Sequence, residues 1–388
     1  MKQYNFDKII DRTQVDTVKY GLRKPVFNNE NVIPLWVADM DFETPDFIIE
    51  AMRQRVDHAV FGYGFRSSDY NKTISRWISK HYNWKVGAEE ISFSPGVVPG
   101  LVMSILAFTK PGDKVLVQPP VYFPFYTSIS GNNRELVFSP LKNTDRGYHM
   151  DFVDLEAKFK SGVKMFIMSN PHNPVGRVWT SEDLQQVVDL CAKYDVLILS
   201  DEIHADLTFG PNVHIPIASI SKEAAMRTLT FMAASKTFNI AGLSTAFVVI
   251  QQKELLNRYN KTMDAMHLFT GNVMGAVATK AAFDNGDVWR KQMLEYVKGN
   301  IDFVADYIAE HIPKLHFMKP QATYLLWLDF SDYKLNQKDL VSLLVDKANV
   351  GLNDGTLFNP GGEGFMRMNV ACPRSVLQQA LEQIRDAL

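Results

Sequence analysis

Residues 164–204 decide the fold, and they read KMFIMSNPHNPVGRVWTSEDLQQVVDLCAKYDVLILSDEIH. Two apolar runs in this stretch, at residues 164–169 and 196–200, have the length and composition of buried strands. Between them, residues 180–195 place apolar side chains at helical spacing after a Thr or Ser cap and an acidic first turn. A strand, a helix and a strand in this order predict a parallel crossover and a sheet covered by helices on both faces.

The same alternation continues on either side of this stretch and predicts a large α/β domain over residues 46–285. Further candidate strands lie at residues 91–94, 114–117, 135–139, 228–233 and 246–250.

After about residue 285 the pattern changes and predicts a smaller α+β domain. The chain then carries a long amphipathic helix at residues 288–311. Two strand-like segments follow at residues 322–330 and 365–371, with a helix at 337–347 between them, and a last helix begins at residue 374. We expect residues 1–45 and 286–388 to form this smaller domain together.

The composition excludes several classes of protein. The chain has 388 residues, more than one hydrophobic core usually holds, so we expect two domains. Lys and Arg total 41 against 43 Asp and Glu, which gives no basic footprint for nucleic acid or an anionic membrane. Cys191 and Cys372 lie in no metal or disulfide pattern, so we expect neither. The start has no secretory signal, and the longest apolar stretch is too short for a membrane span, so we expect a soluble, cytoplasmic protein.

Ligands of open α/β sheets bind at the carboxyl ends of the strands, so the residues that follow each strand are the candidates. Gly96, Val97 and Val98 begin a helix, where free N–H groups favour a phosphate, although this segment alone is more simply explained as a plain strand-to-helix turn. Tyr122 could stack on a planar ligand or belong to the core. Asn173, between two prolines, can donate an amide hydrogen bond or simply shape the loop.

Two charged residues at strand ends carry the chemistry. Asp201 directly follows an apolar run, and a buried carboxylate is costly unless it meets a cation or hydrogen-bond donors. A protonated heterocycle, a structural salt bridge or a helix cap would all satisfy it. Lys236 stands among small and apolar residues, where loss of solvent lowers the pKa of an amine toward that of a usable nucleophile. A lysine that merely reaches solvent is the alternative.

Taken together, NPHNPVGR, DEIH and SKTFNIAGL resemble the fold-type-I pyridoxal-phosphate enzymes of the class I/II aminotransferase branch. The resemblance implies that Lys236 binds pyridoxal 5′-phosphate covalently and, once free, takes the Cα proton. It also implies that Asp201 pairs with the pyridinium nitrogen, that Asn173 bonds the ring's 3′-oxygen and that Tyr122 stacks on the ring. It assigns the phosphate to Ser235 and to the backbone of Gly96, Val97 and Val98.

The same resemblance makes Arg367, in FMRMNVACPR, the arginine that binds the substrate α-carboxylate through its planar fork. Two positions depart from the aminotransferase pattern. His204 stands where a tyrosine usually contacts the 3′-oxygen, and Ser244 stands where many members carry an arginine on the phosphate. His204 could also be an ordinary hydrogen-bonded histidine.

These departures, with PLWVADMDF at residues 34–42, are similar to the MalY/PatB-type cystathionine β-lyases, the C–S lyases. That family implies α,β-elimination of L-cystathionine or related cysteine S-conjugates to a thiol, pyruvate and ammonia. It implies a homodimer in which Tyr63, within FGYGF, reaches the neighbouring subunit's phosphate, and it places Trp36 and Ala38 near the substrate carboxylate. Packing remains the alternative for Tyr63 and for Trp36.

Two other functions stay open on the sequence. One is an aminotransferase on the same scaffold, which shares every step up to loss of the Cα proton. The other is a regulatory binding protein that keeps the cofactor fold without turnover, although the sequence carries no DNA-binding motif and retains Lys236 and Asp201.

Overall fold

The structure is a computed structural model that describes residues 2–388. Its fourteen strands are β1 Ile33–Pro34, β2 Ile91–Ser94, β3 Lys114–Val117, β4 Glu135–Phe138, β5 Lys142–Thr144, β6 Gly147–His149, β7 Val163–Ser169, β8 Leu197–Asp201, β9 Thr228–Met232, β10 Ala246–Val249, β11 Leu325–Asp329, β12 Val350–Gly351, β13 Asn353–Asp354 and β14 Phe365–Asn369. The helices are α1 Val18–Gly21, α2 Arg23–Phe27, α3 Asp46–Asp57, α4 Ser68–Tyr82, α5 Val97–Phe108, α6 Pro124–Ser130, α7 Phe152–Lys160, α8 Ser181–Tyr194, α9 Lys222–Arg227, α10 Lys253–Ala265, α11 Val273–Asn285, α12 Asp287–His311, α13 Gln337–Ser342 and α14 Arg374–Ala387.

A seven-stranded sheet in the order β2-β10-β9-β8-β7-β3-β4 forms the centre of the molecule. Parallel pairing joins β4 to β3, β3 to β7, β7 to β8 and β8 to β9, while β10 runs antiparallel to both β9 and β2. Helices cover the sheet, and the core strands are buried along nearly their whole length. The predicted α/β class, with a mostly parallel sheet, is therefore confirmed.

The connection between β7 and β8 shows why the opening stretch specifies this fold. Helix α8 begins where the Thr180 hydroxyl accepts a hydrogen bond from the Asp183 N–H and the Asp183 carboxylate accepts one from the Thr180 N–H. This reciprocal cap fixes the start of the helix. The buried residues Leu184, Val187, Val188 and Cys191 then face the sheet. The predicted ends of this helix and of both strands agree with the structure to within one residue.

The C-terminal part of the chain forms a three-stranded antiparallel sheet, β11-β14-β13, packed with α12 and α14. The predicted strand at residues 322–330 is shorter, and the predicted helix at 337–347 changes after Ser342 to a π-helical turn over Leu343–Lys347. A short parallel pair, β1 with β12, joins the N-terminal segment to this part. The division at residues 45/46 and 285/286 stays a prediction.

The register of the large sheet brings one set of strand ends to a common edge. Ser169 at the end of β7 lies opposite Asp201 at the end of β8, and Asp201 lies opposite Phe231 near the end of β9. Because β10 is reversed, its first residue, Ala246, pairs with Ser94 at the end of β2. The residues just before β10 therefore reach the same edge. Within residues 2–388, no helix is both long and apolar enough to cross a membrane.

Candidate active site

A cavity of about 300 Å³ lies at this edge of the sheet. The predicted site residues that line it are Ala38, Gly96, Val97, Val98, Tyr122, Asn173, Asp201, His204, Ser235 and Lys236. Ser244 and Thr245, which precede β10, complete the wall. A larger opening of about 890 Å³ adjoins it and shares Ala38 and Lys236.

Asp201 is a buried carboxyl group with little to satisfy it. One oxygen accepts a hydrogen bond from the Ile203 N–H at 3.1 Å, and no Lys, Arg or His nitrogen of residues 2–388 lies within 4 Å of either oxygen. Burial raises the pKa of Asp201 to about 7, although the Ile203 N–H and the positive charge of Lys236 oppose that rise. A cation placed against this carboxyl would restore its negative charge.

Lys236 follows β9 and donates a hydrogen bond from Nζ to the Ala38 carbonyl oxygen at 2.5 Å. Burial lowers its pKa to about 8; the negative charge of Asp39 works against that shift and the positive charge of Arg367 adds to it. An amine with this pKa is partly neutral near pH 7, which a nucleophile or a general base requires.

His204 is buried, and its Nδ1 has no hydrogen-bond partner in the described part of the chain. Burial, together with the positive charges of Lys236 and Arg367, lowers its pKa to about 3, so the ring is neutral at pH 7. Its ring meets the Tyr324 ring edge-on, with centroids 6.3 Å apart. A neutral imidazole at the cavity wall can donate to or accept from a polar ligand atom.

The start of helix α5 lines the cavity. Gly96 caps the helix with a φ of 151°, a conformation that favours glycine, and a Cβ there would lie 3.2 Å from Pro99 Cδ. Val97 and Val98 are the first two residues of the helix, whose N–H groups have no partner within a helix, and Ser235 lines the same cavity. A helix N-terminus of this kind is suited to a phosphate.

Arg367, in β14, is a buried cation without a carboxylate partner among residues 2–388. Its Nη1 donates to Asn173 Oδ1 at 3.1 Å, and its Nη2 donates to the Trp36 carbonyl at 2.9 Å and to Asn353 Oδ1 at 2.5 Å. Burial lowers its pKa to about 10, so the guanidinium keeps its charge at pH 7. Neutral acceptors thus orient the group, and its charge stays available to an anion.

Three predicted residues, Tyr122, Trp36 and Tyr63, differ from the others in burial or in the atoms that they contribute to the site. Tyr122 is half-buried at the cavity wall, and burial raises its pKa, so its phenol stays protonated. Trp36 contributes its carbonyl oxygen to Arg367, while its indole donates to the Lys19 carbonyl at 3.0 Å. Tyr63 does not line the cavity of its own chain; its side chain is fully exposed.

The sequence reasoning missed Asn353, Tyr324 and Asp39. Asn353 orients Arg367, Tyr324 donates to the Ala38 carbonyl at 3.0 Å, and Asp39 acts on the charge of Lys236. Asn353 lies in β13 and Tyr324 directly precedes β11, so both belong to the three-stranded sheet region, far along the chain from the residues that line the cavity. The only signal for Asp39 is its place in WVADMDF.

The sequence profile of one family, described as aminotransferase class I and II, matches residues 30–384. The chain belongs to this family. Cystathionine beta-lyase PatB from Bacillus subtilis (strain 168) is 40% identical over 385 residues, which cover 99% of this chain and 100% of that protein. This agrees with the predicted resemblance to the MalY/PatB type.

Two solved structures have the same fold over the whole chain. Cystalysin from Treponema denticola, which contains pyridoxal 5′-phosphate, has a TM-score of 0.96 at 33% identity and covers 100% of this chain and 99% of its own. The PLP-bound C–S lyase from Staphylococcus hominis has a TM-score of 0.93 at 35% identity and covers 100% of this chain and 98% of its own.

Proposed function

We propose that this protein is a pyridoxal-phosphate-dependent carbon–sulfur β-lyase that cleaves L-cystathionine or a related cysteine S-conjugate to a thiol, pyruvate and ammonia. One observation carries the proposal: the 40% identity to a cystathionine β-lyase extends over the full length of both chains. The site brings together the groups that this reaction requires, and an amino-acid substrate fits the family.

The cavity fits the cofactor on three counts taken from the structure. Asp201 is a buried carboxyl without a cation, as a protonated ring nitrogen would need. The capped start of α5, with Ser235 beside it, suits the phosphate. Among residues 2–388, neither His204 Nδ1 nor the Asn173 amide nitrogen has a hydrogen-bond partner, so both are available to the ring's 3′-oxygen. When bound, pyridoxal phosphate supplies the electron sink that stabilises negative charge at the substrate Cα.

The residues of this chain would act in order. Arg367 binds the substrate α-carboxylate and, with Asn173, orients the Cα–H bond. Lys236 holds the cofactor at rest and, once displaced, takes the Cα proton on its neutral Nζ. The Cβ–S bond then breaks and its electron pair leaves with sulfur as a thiolate. The remaining 2-aminoacrylate takes up water and gives pyruvate and ammonia.

We also propose a homodimer in which Tyr63 of one subunit contacts the phosphate of the other. Tyr63 is surrounded in sequence by Val60, Phe61 and Phe65, and all four side chains are exposed in the single chain. Exposed apolar side chains gathered in one segment are typical of an interaction surface. Sedimentation of the holoenzyme should give twice the chain mass. The cytoplasmic location expected from the sequence stays a prediction.

Pyruvate release by the cofactor-loaded protein tests the proposed activity. L-Cystathionine is supplied with no 2-oxo acid present, and we expect pyruvate and free thiol in equal amounts over many turnovers. Conversion of the cofactor to its pyridoxamine form without pyruvate would instead make the protein an aminotransferase. A dimer that binds cofactor yet does neither would favour a regulatory binding protein.

A further inference from the structure

The segment at residues 36–42, WVADMDF, contains no helix or strand, yet side chains bond its backbone carbonyls almost continuously. Arg367 donates to the Trp36 carbonyl, Asn369 donates to the Val37 and Asp39 carbonyls, and both Lys236 and Tyr324 donate to the Ala38 carbonyl. In addition, Lys19 donates to the Asp39 carbonyl, Arg12 donates to the Met40 carbonyl, and Asn239 donates to the Met40 and Phe42 carbonyls. Six of its seven carbonyl oxygens are therefore held from outside the segment.

The inner side of this segment connects the two charged groups of the active site. Ala38 accepts from Lys236 Nζ at 2.5 Å, and Trp36 accepts from Arg367 Nη2 at 2.9 Å. Because two residues of chain span about 7 Å at most, a shift of this backbone moves both contacts together. The segment thus sets where the lysine amine stands relative to the carboxylate-binding guanidinium.

The outer side of the segment is held by an ion cluster from the N-terminal part of the chain. Lys19 Nζ lies 2.7 Å from Asp41 Oδ2 and donates to the Asp39 carbonyl at 3.2 Å. Arg12 donates from Nη1 to Asp41 Oδ1 at 2.6 Å and from Nη2 to Asp39 Oδ2 at 2.8 Å. The Lys19 side chain is 0% exposed, and an ammonium so deeply buried must be paired.

We propose that Lys19 and Arg12 are positioning residues for the elimination: they clamp residues 36–42 so that Lys236 and Arg367 keep their relative placement. This inference rests on the proposed function. Lys19 lines neither cavity and Arg12 lines only the larger opening, so their effect on the smaller cavity passes through the Ala38 and Trp36 carbonyls. A misplacement of about 1 Å at reacting groups can cost about a hundredfold in rate, so a clamp of this kind has a measurable effect.

The test compares Lys19→Met with the double variant Lys19→Met/Asp41→Asn in the holoenzyme. We expect kcat for pyruvate release to fall at least about tenfold in both. KM should change little, because Arg367 keeps its bonds to Asn173 and Asn353, which lie outside residues 36–42. In the apoprotein, the amides of Met40 and Asp41, bonded to Asn239 Oδ1 at 3.0 Å and to the Ala371 carbonyl at 2.9 Å, should exchange hydrogen faster. Lys19→Met leaves Arg12 facing two carboxylates, Asp39 and Asp41, with one negative charge in excess. Asp41→Asn removes that excess charge, so the melting temperature of the double variant should recover while its kcat stays low.

A kcat that returns with the melting temperature, or that never falls, would overturn the proposal and leave the cluster a purely structural role. If Lys19→Met does not fold, Arg12→Gln makes the same test at the less buried end of the cluster. Lys193→Met, which removes an exposed pair with Glu156, is the matched control and should change neither rate nor exchange. A wild-type enzyme that releases no pyruvate would refute the proposed function instead, and the exchange measurement would still report on the clamp.

Discussion

Replacing Arg367 with lysine keeps the positive charge but removes the planar fork, and it tests how the site holds a carboxylate. The guanidinium has five N–H groups. Three of them bond Asn173, Trp36 and Asn353, and Nε has no partner in the described chain. Two N–H groups therefore remain for a substrate. A lysine offers one nitrogen, which cannot serve the three internal acceptors and the substrate together.

The size of the effect follows from the bonds that are lost. A hydrogen bond to a charged group contributes about 1.5–3 kcal/mol, so losing one substrate bond and loosening the rest should cost about 2–4 kcal/mol. At about 1.4 kcal/mol for each factor of ten, kcat/KM should fall roughly 30- to 1,000-fold. Most of the fall in kcat/KM should appear as a higher KM, because Arg367 contacts the substrate carboxylate equally in the ground state and in the transition state.

Initial rates of pyruvate release over a range of L-cystathionine concentrations measure this effect. Arg374→Lys is the matched control, because Arg374 bonds Asn300 and stacks on Phe303 away from both cavities. It should keep wild-type kinetics. A kcat/KM for Arg367→Lys within about threefold of wild type would refute the assignment of this guanidinium to the substrate carboxylate.

Three further outcomes are expected. Asp201→Asn removes the carboxylate charge that we propose faces the ring nitrogen. Losing an opposite charge within about 4–6 Å lowers the pKa of a cationic group by about 1–3 units, so kcat should fall roughly 10- to 1,000-fold with cofactor still bound. Unchanged kinetics would show that the ring lies elsewhere. With a pKa of about 8, the neutral fraction of Lys236 rises about tenfold from pH 7 to pH 9. The rate at which the apoprotein takes up cofactor should therefore rise about tenfold over the same range and then level off. A rate that still climbs beyond pH 10 would mean that Lys236 has the pKa of an ordinary lysine. Thr180→Ala removes the reciprocal cap of α8 and should cost about 1 kcal/mol of unfolding free energy, seen as a lower melting temperature at unchanged kcat; a lowered kcat would mean that the helix start matters to the site.

Much of the site could be predicted because strand polarity fixes where strand ends meet. Asp201 and Lys236 each follow an apolar run, and parallel pairing of β8 and β9 brings them to one edge without any tertiary knowledge. The reversal of β10 was not predicted, since an apolar run reads the same in either direction. That reversal brings Ser244, which lies just before the strand and not after it, to the same cavity.

The contacts that hold Arg367 and the segment at residues 36–42 could not be read from the sequence. Trp36 and Arg367 are 331 residues apart in sequence, and Asn353 lies 14 residues before Arg367 on another strand. No local periodicity records such partners. The burial of Lys19 is similarly invisible, because a lysine in a short helix normally predicts a solvated surface. Only the three-dimensional arrangement reveals that its ammonium faces Asp41.

The identity of both products from L-cystathionine tests the central claim most directly. The cofactor-loaded enzyme is incubated without a 2-oxo acid, and both products are measured by mass spectrometry beside Lys236→Ala. Homocysteine and pyruvate should appear in equal amounts, each matching the substrate consumed, with essentially none from the variant. Cysteine with 2-oxobutyrate, an amino-group transfer without bond cleavage, or full activity in Lys236→Ala would contradict the assignment.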